Sequence, residues 1–303
     1  LYTSFLIYEG ITVYGGFNAD SPEATPEDRI VLDADGTTKK KMSEAKGLKW
    51  LMKNTTTLSG NHSSSTEDPM KWDSKKNEYD ESFTGNSYHV VWFATNTSTH
   101  SSGLDTKNRG VALAHTAGLD GFTIRDGNAS NRTVPEQTDG SHAYHNSYGG
   151  GVYMVGNTVL RNCIIRQNSS SLRGGGVYMD GGGLMEQCYV TQNQSGGVGV
   201  TDGYGGGVAC DDGGIVRHCL IENNAARCGG GLSIAFSSQP KDDKARYASF
   251  ATGCVVNNNT SSAEAGGVFM KNGGLLNHLT ITCNKCVGAG VVYNNRRYGR
   301  SGG

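Results

Sequence analysis

One group of residues in this sequence could carry catalytic chemistry, and it contains two adjacent carboxylates and a histidine. Asp211 and Asp212 are followed by His218, and a pair of carboxylates can act as acid and base in hydrolysis. Asp-Asp next to Gly213-Gly214 is also ordinary turn chemistry. Both interpretations stay open, and the sequence leans toward a protein without catalysis.

Metal-ligand patterns in the sequence are weak. Cys283 and Cys286 have the Cys-x-x-Cys spacing of a metal or redox site, but no second Cys or His pair stands at zinc-ligand spacing. The segment 196–202 has its Asp one position too late for the nonapeptide calcium repeat. The sequence therefore predicts no metal and no other cofactor. Calcium is left open without a motif to support it.

These residues are embedded in an internal repeat that becomes regular from Gly149 onward. Each strong copy has a Gly-rich block of the type GGGV and a second block that ends in Asn. In three copies a Val and a Cys are 11 residues apart, at 152 and 163, 177 and 188, and 208 and 219. A weaker copy upstream has Val111 and Phe122 at the same spacing. Gly triplets and the lack of a 3.6-residue period exclude a helical repeat.

Each copy predicts two short strands, for example 177–179 and 188–190, joined by Gly-rich or Asn-rich corners. One copy cannot bury its own apolar face, whereas stacking copies at about 4.8 Å buries it and pairs the backbone. The sequence therefore predicts an all-β fold, a single-stranded parallel β-helix (solenoid) with loop insertions at the corners. We expect one domain over 1–303, with irregular early coils and long excursions in 1–128 and regular coils in 149–293.

Stacking assigns columns to the interior. Val111, Val152 and Val177 begin one inward stack. Four cysteines form another, in which we expect reduced side chains that pack as small hydrophobes: Cys163, Cys188, Cys219 and Cys254. Five positions after each column residue stands an Asn, for which we predict left-handed corners and an internal amide ladder: Asn168, Asn193, Asn224, Asn259 and Asn284.

Candidate binding residues lie on insertions and on one outward column. Insertions 130–148 and 194–204 leave the same corner, with a shorter one at 260–265, so we expect them side by side. Their groups suited to sugar rings are Tyr144, His145, Tyr148, Asp202 and Tyr204. Tyr153 and Tyr178 stand in the outward column, where exposed aromatics suit docking of sugar or protein. Mobile loops and a column covered by them are the alternative interpretations.

Composition and charge exclude some partners. The formal net charge is -1, which argues against nucleic acid and against attraction to anionic membranes by bulk charge. No apolar run approaches the roughly 20 residues of a transmembrane helix. The chain opens on strand-like residues without a signal peptide, and we expect it to be a fragment of a longer protein.

The GGGV block followed by a hydrophobic-x-x-Asn block resembles the repeats of polymorphic outer-membrane proteins and related autotransporter passengers. In those proteins the second block reads Phe-x-x-Asn, whereas here it reads IRQN, VTQN, IENN, VNNN and ITCN. The segments ITVYGGF(11–17), YHVVWF(88–93) and LDGFTIRDGNA(119–129) are similar to the lead-in of secreted or surface β-helix proteins from gut-type bacteria. The resemblance implies a right-handed helix and a location outside the cell or on the bacterial surface, associated with the outer membrane.

The expected function is therefore binding or display at a cell surface, with carbohydrate or a host surface protein as partner. Two alternatives remain. The chain is a polysaccharide lyase or glycoside hydrolase acting on an acidic polysaccharide, or it is a structural stalk segment of a surface adhesin.

Overall fold

The computed structural model is all-β, with long parallel sheets. It describes residues 4–18, 20, 25–33, 36–44, 50–61, 72–73, 78–79, 86–94, 117–129, 147–196, 203–211, 213–235, 249–287, 292–293 and 296–297. Within these residues the helical elements are short 3-10 turns at Pro26–Asp28 and Met42–Glu44, and no helix has the length and apolar character needed to cross a membrane.

Four parallel sheets hold the repeats, three with seven strands and one with six. Sheet 1 contains Phe5–Tyr8, Val91–Ala94, Val152–Val155, Val177–Asp180, Val208–Asp211, Leu232–Ala235 and Val268–Lys271. Sheet 2 contains Thr12–Tyr14, Ala117–Asp120, Thr158–Arg161, Leu184–Glu186, Gly214–Arg217, Ser249–Thr252 and Leu275–Asn277. Sheet 3 contains Thr56–Ser59, Phe122–Arg125, Ile164–Arg166, Tyr189–Thr191, Leu220–Glu222, Val255–Asn257 and Thr280–Thr282. Sheet 4 contains Asn128–Ala129, Ser169–Ser170, Gln194–Ser195, Ala225–Cys228, Thr260–Glu264 and Lys285–Cys286.

From Val152 onward each repeat passes through sheets 1, 2, 3 and 4 in that order and returns to sheet 1 one strand further along. The prediction of two strands per repeat was therefore wrong, because each repeat contributes four. The extra strands are short, two to five residues long in sheet 4, and too brief to show an alternating pattern. Segment 260–265, predicted as a loop, is mostly the sheet 4 strand Thr260–Glu264.

Inward-facing side chains of sheets 1, 2 and 3 form one apolar core. Val152 pairs in register with Val177 on one side and with Val91 on the other. Val91 thus occupies the place that the sequence gave to Val111, and Val111 lies outside the described residues. The interval of sequence between Val91 and the next sheet 2 strand, Ala117–Asp120, is far longer than in the regular repeats, which is why spacing alone misplaced it.

The predicted cysteine column is confirmed. Cys163, Cys188, Cys219 and Cys254 are buried and free of disulfides. The backbone N–H of Cys188 donates to the sulfur of Cys219 at 3.4 Å. Burial raises the pKa of the Cys188 thiol well above its ordinary value, so this thiol stays protonated and packs as a small apolar side chain.

The predicted asparagine ladder is also confirmed. Asn168 donates through its backbone N–H and its Nδ2 to Oδ1 of Asn193, at 3.1 and 3.0 Å, and the same pair of bonds recurs up to Asn284. The left-handed conformation, however, falls one residue earlier than predicted. Gln167 and Gln192 have φ values of 57° and 55°, so the corner residue turns the chain and the next Asn points into the interior.

Two hairpins and one small sheet are antiparallel. The hairpins pair Trp72–Asp73 with Glu78–Tyr79 and Val292–Tyr293 with Arg296–Arg297. The small sheet is formed by Ile30–Asp33, Lys39–Lys41 and Trp50–Met52.

A buried ion pair links the segment that contains the small sheet to sheet 2. Arg29 Nη2 lies 2.7 Å from Asp120 Oδ1, and its Nη1 donates to the Gly15 carbonyl at 2.9 Å. Asn162 Nδ2 donates to both oxygens of the same carboxylate, at 3.0 and 3.1 Å. A buried charge needs this degree of pairing, so removing either partner should loosen the segment.

Candidate functional site

The outer face of sheet 1 carries aromatic side chains on three successive strands. Trp92, Tyr153 and Tyr178 are in-register neighbours, followed by Ala209. We call these four residues the floor. Tyr153 and Tyr178 are only 1% and 5% exposed, so the alternative of a covered column holds and that of exposed aromatics at these two positions does not. Alternation places their rings on the outer face, but neighbouring side chains cover them there.

The rings that cover the floor come from two directions. Tyr148 lies 4.7 Å from Tyr178 between ring centroids, and Tyr153 and Tyr178 are 5.3 Å apart. At the other end His89 lies 5.6 Å from Trp92 and 5.3 Å from Tyr153. Tilted rings at these separations attract one another beyond simple burial. The floor is therefore a rigid packed layer.

Beside the floor runs a second column, just before each Gly-rich block. Tyr148, Arg173, Tyr204 and Cys228 are joined in that order by parallel β-bridges. We call Tyr148, Arg173 and Tyr204 the rim; all three are half-buried. Tyr148 and Tyr204, the last residues of the two long insertions, lie in one column. Residues 130–146 and 197–202 lie outside the described residues, so the expectation that the insertions lie side by side stays a prediction. Tyr144, His145 and Asp202 lie outside the described residues.

Arg173 connects the rim to the floor. Its guanidinium carbon lies 5.4 Å from the centroid of the Tyr204 ring, within the range of a cation–π interaction. Its Nη1 forms an ion pair with Asp211 Oδ2, and the same oxygen accepts a hydrogen bond from the Tyr178 hydroxyl at 3.1 Å. Phe269 extends the aromatic surface, with its ring 5.4 Å from that of Tyr204.

Two carboxylates border the floor on adjacent strands. Asp180 and Asp211 are in-register partners, and Asp180 Oδ2 accepts a hydrogen bond from the Tyr153 hydroxyl at 3.2 Å. Burial, reinforced by these carboxylates, raises the pKa of Tyr153 and of Tyr178 far above the ordinary value. Both phenols therefore stay protonated and donate hydrogen bonds, and neither can act as a base near neutral pH.

Two members of the predicted catalytic group lie at different corners of the repeat. Asp211 ends a sheet 1 strand and is held by Arg173 and Tyr178. His218 lies at the corner between strands of sheets 2 and 3, with a φ of 51°. It is exposed, and a Cβ placed on Gly253 would lie 2.6 Å from its ring. Asp212 lies outside the described residues. A catalytic role for Asp211, Asp212 and His218 therefore stays a prediction.

Across the described residues, no three side chains of His, Cys, Asp or Glu lie together as a metal site requires.

Several residues of this site were missed by sequence reasoning. Arg173 and Asp180 had no motif, since each acquires its partner only through the stacking of repeats. Trp92 could have been found, because Val91 and Phe93 alternate with it inside the YHVVWF segment.

Comparison with known proteins adds no relative. A scan against family models, a search of curated proteins and a search of solved structures each returned no match.

Proposed function

We propose that the four sheets are the faces of a right-handed parallel β-helix, and that this chain is a secreted or bacterial surface protein that binds carbohydrate at the rim of sheet 1. The fixed order of the sheets in successive repeats supports the helical path. Connections between parallel strands of one sheet are right-handed in nearly all proteins. The repeat pattern described above is typical of surface proteins.

The observation that carries the binding proposal is the half-buried aromatic rim on a rigid floor. Tyr148 and Tyr204 each present part of a ring, while Arg173 between them offers hydrogen-bond donors. The floor and Asp211 fix these side chains before any ligand arrives. Little rotamer entropy is then lost on binding, and a flat ring beside a planar donor suits the apolar face and hydroxyls of a sugar.

A glycan-panel screen with the purified protein tests this proposal. We expect retention of a subset of glycans, and a drop of about tenfold in affinity when Tyr204→Ala removes one ring contact worth roughly 1.4 kcal/mol. Tyr8→Ala is the matched control, because Tyr8 is an exposed tyrosine on the first strand of the same sheet. Circular dichroism must show that both variants keep the native β spectrum.

The screen also separates the alternatives. If Tyr204→Ala and the native protein bound glycans equally, the rim would be excluded as the binding site. Capture of host surface proteins without any glycan would replace carbohydrate as the partner. Release of shortened or unsaturated oligosaccharides would support the enzyme alternative, and a chain that binds nothing would fit a stalk segment.

A further inference from the structure

Two arginines lie side by side on the outer face of sheet 3, and among the described residues only one of them, Arg125, forms an ion pair. Arg125 and Arg166 are in-register partners on adjacent parallel strands. The next two rungs of this column are Thr191 and Glu222. Like charges directly opposite one another in a sheet are destabilising. The pairing therefore has a cost that something else must offset.

The column on sheet 2 provides the comparison within the same molecule. There Arg161, Glu186 and Arg217 follow one another in register. Glu186 bridges both arginines, with Nε–Oε separations of 3.0 Å to Arg161 and 2.5 Å to Arg217. Charges alternate on this column, and each arginine has a carboxylate. The same backbone spacing on sheet 3 places two cations side by side.

The local acids do not neutralise the arginine pair. Asp126 Oδ2 lies 3.1 Å from Arg125 Nε and also accepts a hydrogen bond from the Ser59 hydroxyl at 2.8 Å. Within the described part of the chain, Arg166 has no carboxylate within salt-bridge distance. Glu222 accepts a hydrogen bond from the Tyr189 hydroxyl at 2.8 Å instead. One net positive charge therefore remains at the pair.

The pair also has an aromatic neighbour. Tyr189 is half-buried on the strand that follows Arg166, and its hydroxyl is fixed by Glu222. Tyr189 lies on the same outer face as Arg166 and on the neighbouring strand, so a ligand held by the arginines would lie near its ring. Arginine forks bind planar oxyanions in a bidentate manner. This combination matches a sugar ring that carries an acidic group.

We propose that Arg125 and Arg166 form a binding site for the carboxylate or sulfate group of an acidic polysaccharide, with Tyr189 beside the sugar ring. An anion between the two guanidinium groups would remove their repulsion and supply the missing counter-charge. This site lies on sheet 3 and does not depend on the rim of sheet 1.

Binding of the full chain to acidic polysaccharides tests the proposal. The probes are a polyuronate oligosaccharide, a sulfated heparin oligosaccharide, neutral dextran and inorganic sulfate, each titrated at low and at moderate salt. We expect binding of at least one acidic oligosaccharide that weakens with salt, and none of dextran. Arg166→Gln should weaken it about tenfold, since a bond to a charged group contributes on that scale. Arg166→Lys, which keeps the charge without the planar fork, should fall between the two.

Arg217→Gln is the matched control, because it removes an arginine of the same fold that already has a carboxylate partner. It should leave acidic-glycan binding unchanged. Equal binding by native protein and Arg166→Gln, no binding of either acidic oligosaccharide, or equal loss in Arg217→Gln would overturn the site. Binding of inorganic sulfate alone would also overturn it as a polysaccharide site. If Arg166→Gln does not fold, Arg125→Gln gives the same readout.

The two binding proposals fail separately. Loss of acidic-glycan binding in Arg166→Gln together with unchanged binding in Tyr204→Ala would support the sheet 3 site and remove the rim. The opposite pattern would do the reverse.

Discussion

Replacing one asparagine of the internal ladder tests the stacking most directly, and Asn224→Ala is the best-placed substitution. Asn224 is fully buried. Its Oδ1 accepts bonds from the N–H and the Nδ2 of Asn193, at 2.9 and 3.0 Å. Its Nδ2 donates to the carbonyls of Val190 and Glu222 and to Oδ1 of Asn259, at 3.0 to 3.1 Å. The substitution removes all of these contacts at once.

The expected cost follows from what is left behind. The buried backbone N–H of Asn193 loses its acceptor, which costs about 1–3 kcal/mol, and the remaining bonds contribute about 0.5–1.5 kcal/mol each. Because the amide hydrogens are shared between acceptors, the contributions do not simply add. We expect a loss of about 3–5 kcal/mol in the free energy of unfolding.

Chemical denaturation gives the loss, and hydrogen exchange shows where it arises. The amide of Asn193 should exchange much faster in Asn224→Ala, while amides several repeats away keep their protection. Asn258→Gly is the control, since Asn258 is exposed with a φ of 51° and glycine accepts that conformation. A loss below about 1 kcal/mol in Asn224→Ala, or unchanged exchange at Asn193, would refute the ladder as a stabilising element.

Two further predictions concern close packing and pH. Gly176→Ala should destabilise the fold by several kcal/mol, because its Cβ would lie 2.6 Å from the Gly207 carbonyl oxygen. Gly181→Ala is the control, because nothing lies within 4 Å of its Cβ. It should cost only about 1–2 kcal/mol, for its left-handed φ. Similar denaturation midpoints for the two variants would contradict this. Burial raises the pKa of Tyr189 to about 12, above the ordinary 10.0, so its stabilising contribution is complete below pH 10 and is lost as the pH rises toward 12. Tyr189→Phe should show a shallower decline in stability over that interval, and an equal decline would exclude Tyr189 as its source.

The interior columns could be predicted because a constant spacing in the sequence becomes a constant position in the stack. The ladder of Asn168, Asn193 and Asn224 follows from one offset repeated in each copy. That offset does not reveal which residue bends the backbone. Gln167 carries the left-handed conformation, and its type gives no signal for it.

Long intervals of sequence between paired strands limit what residue spacing can predict about their register. Val91 and Val152 are paired although a long stretch of chain separates them. Val111 was selected instead because it stands 11 residues before Phe122, the same spacing as in the regular copies. Loop length between stacked strands carries little energetic constraint, so the spacing of the repeats could not fix this register, although the alternation within the YHVVWF segment could have indicated Trp92.

The alternation of residues along a strand predicts which face of the sheet a side chain occupies, but not whether other side chains cover it there. It placed Tyr153 and Tyr178 on the outer face of sheet 1 correctly, yet both are buried there. Their cover depends on Tyr148, whose ring is carried by an insertion of irregular sequence. Ion pairs between columns cannot be predicted from local sequence either, since Arg173 and Asp211 are 38 positions apart.

The three outer faces show how one stacked backbone supports different chemistry. Sheet 2 alternates Arg161, Glu186 and Arg217, so each arginine lies next to a carboxylate and not next to another arginine, although one positive charge remains over the three residues. Sheet 3 places Arg125 against Arg166 on the same spacing. Outer side chains need not fill a core, so they can change without repacking the interior. A column of outer side chains whose charges are not paired is therefore a better guide to a binding site in such a fold than any feature of its core.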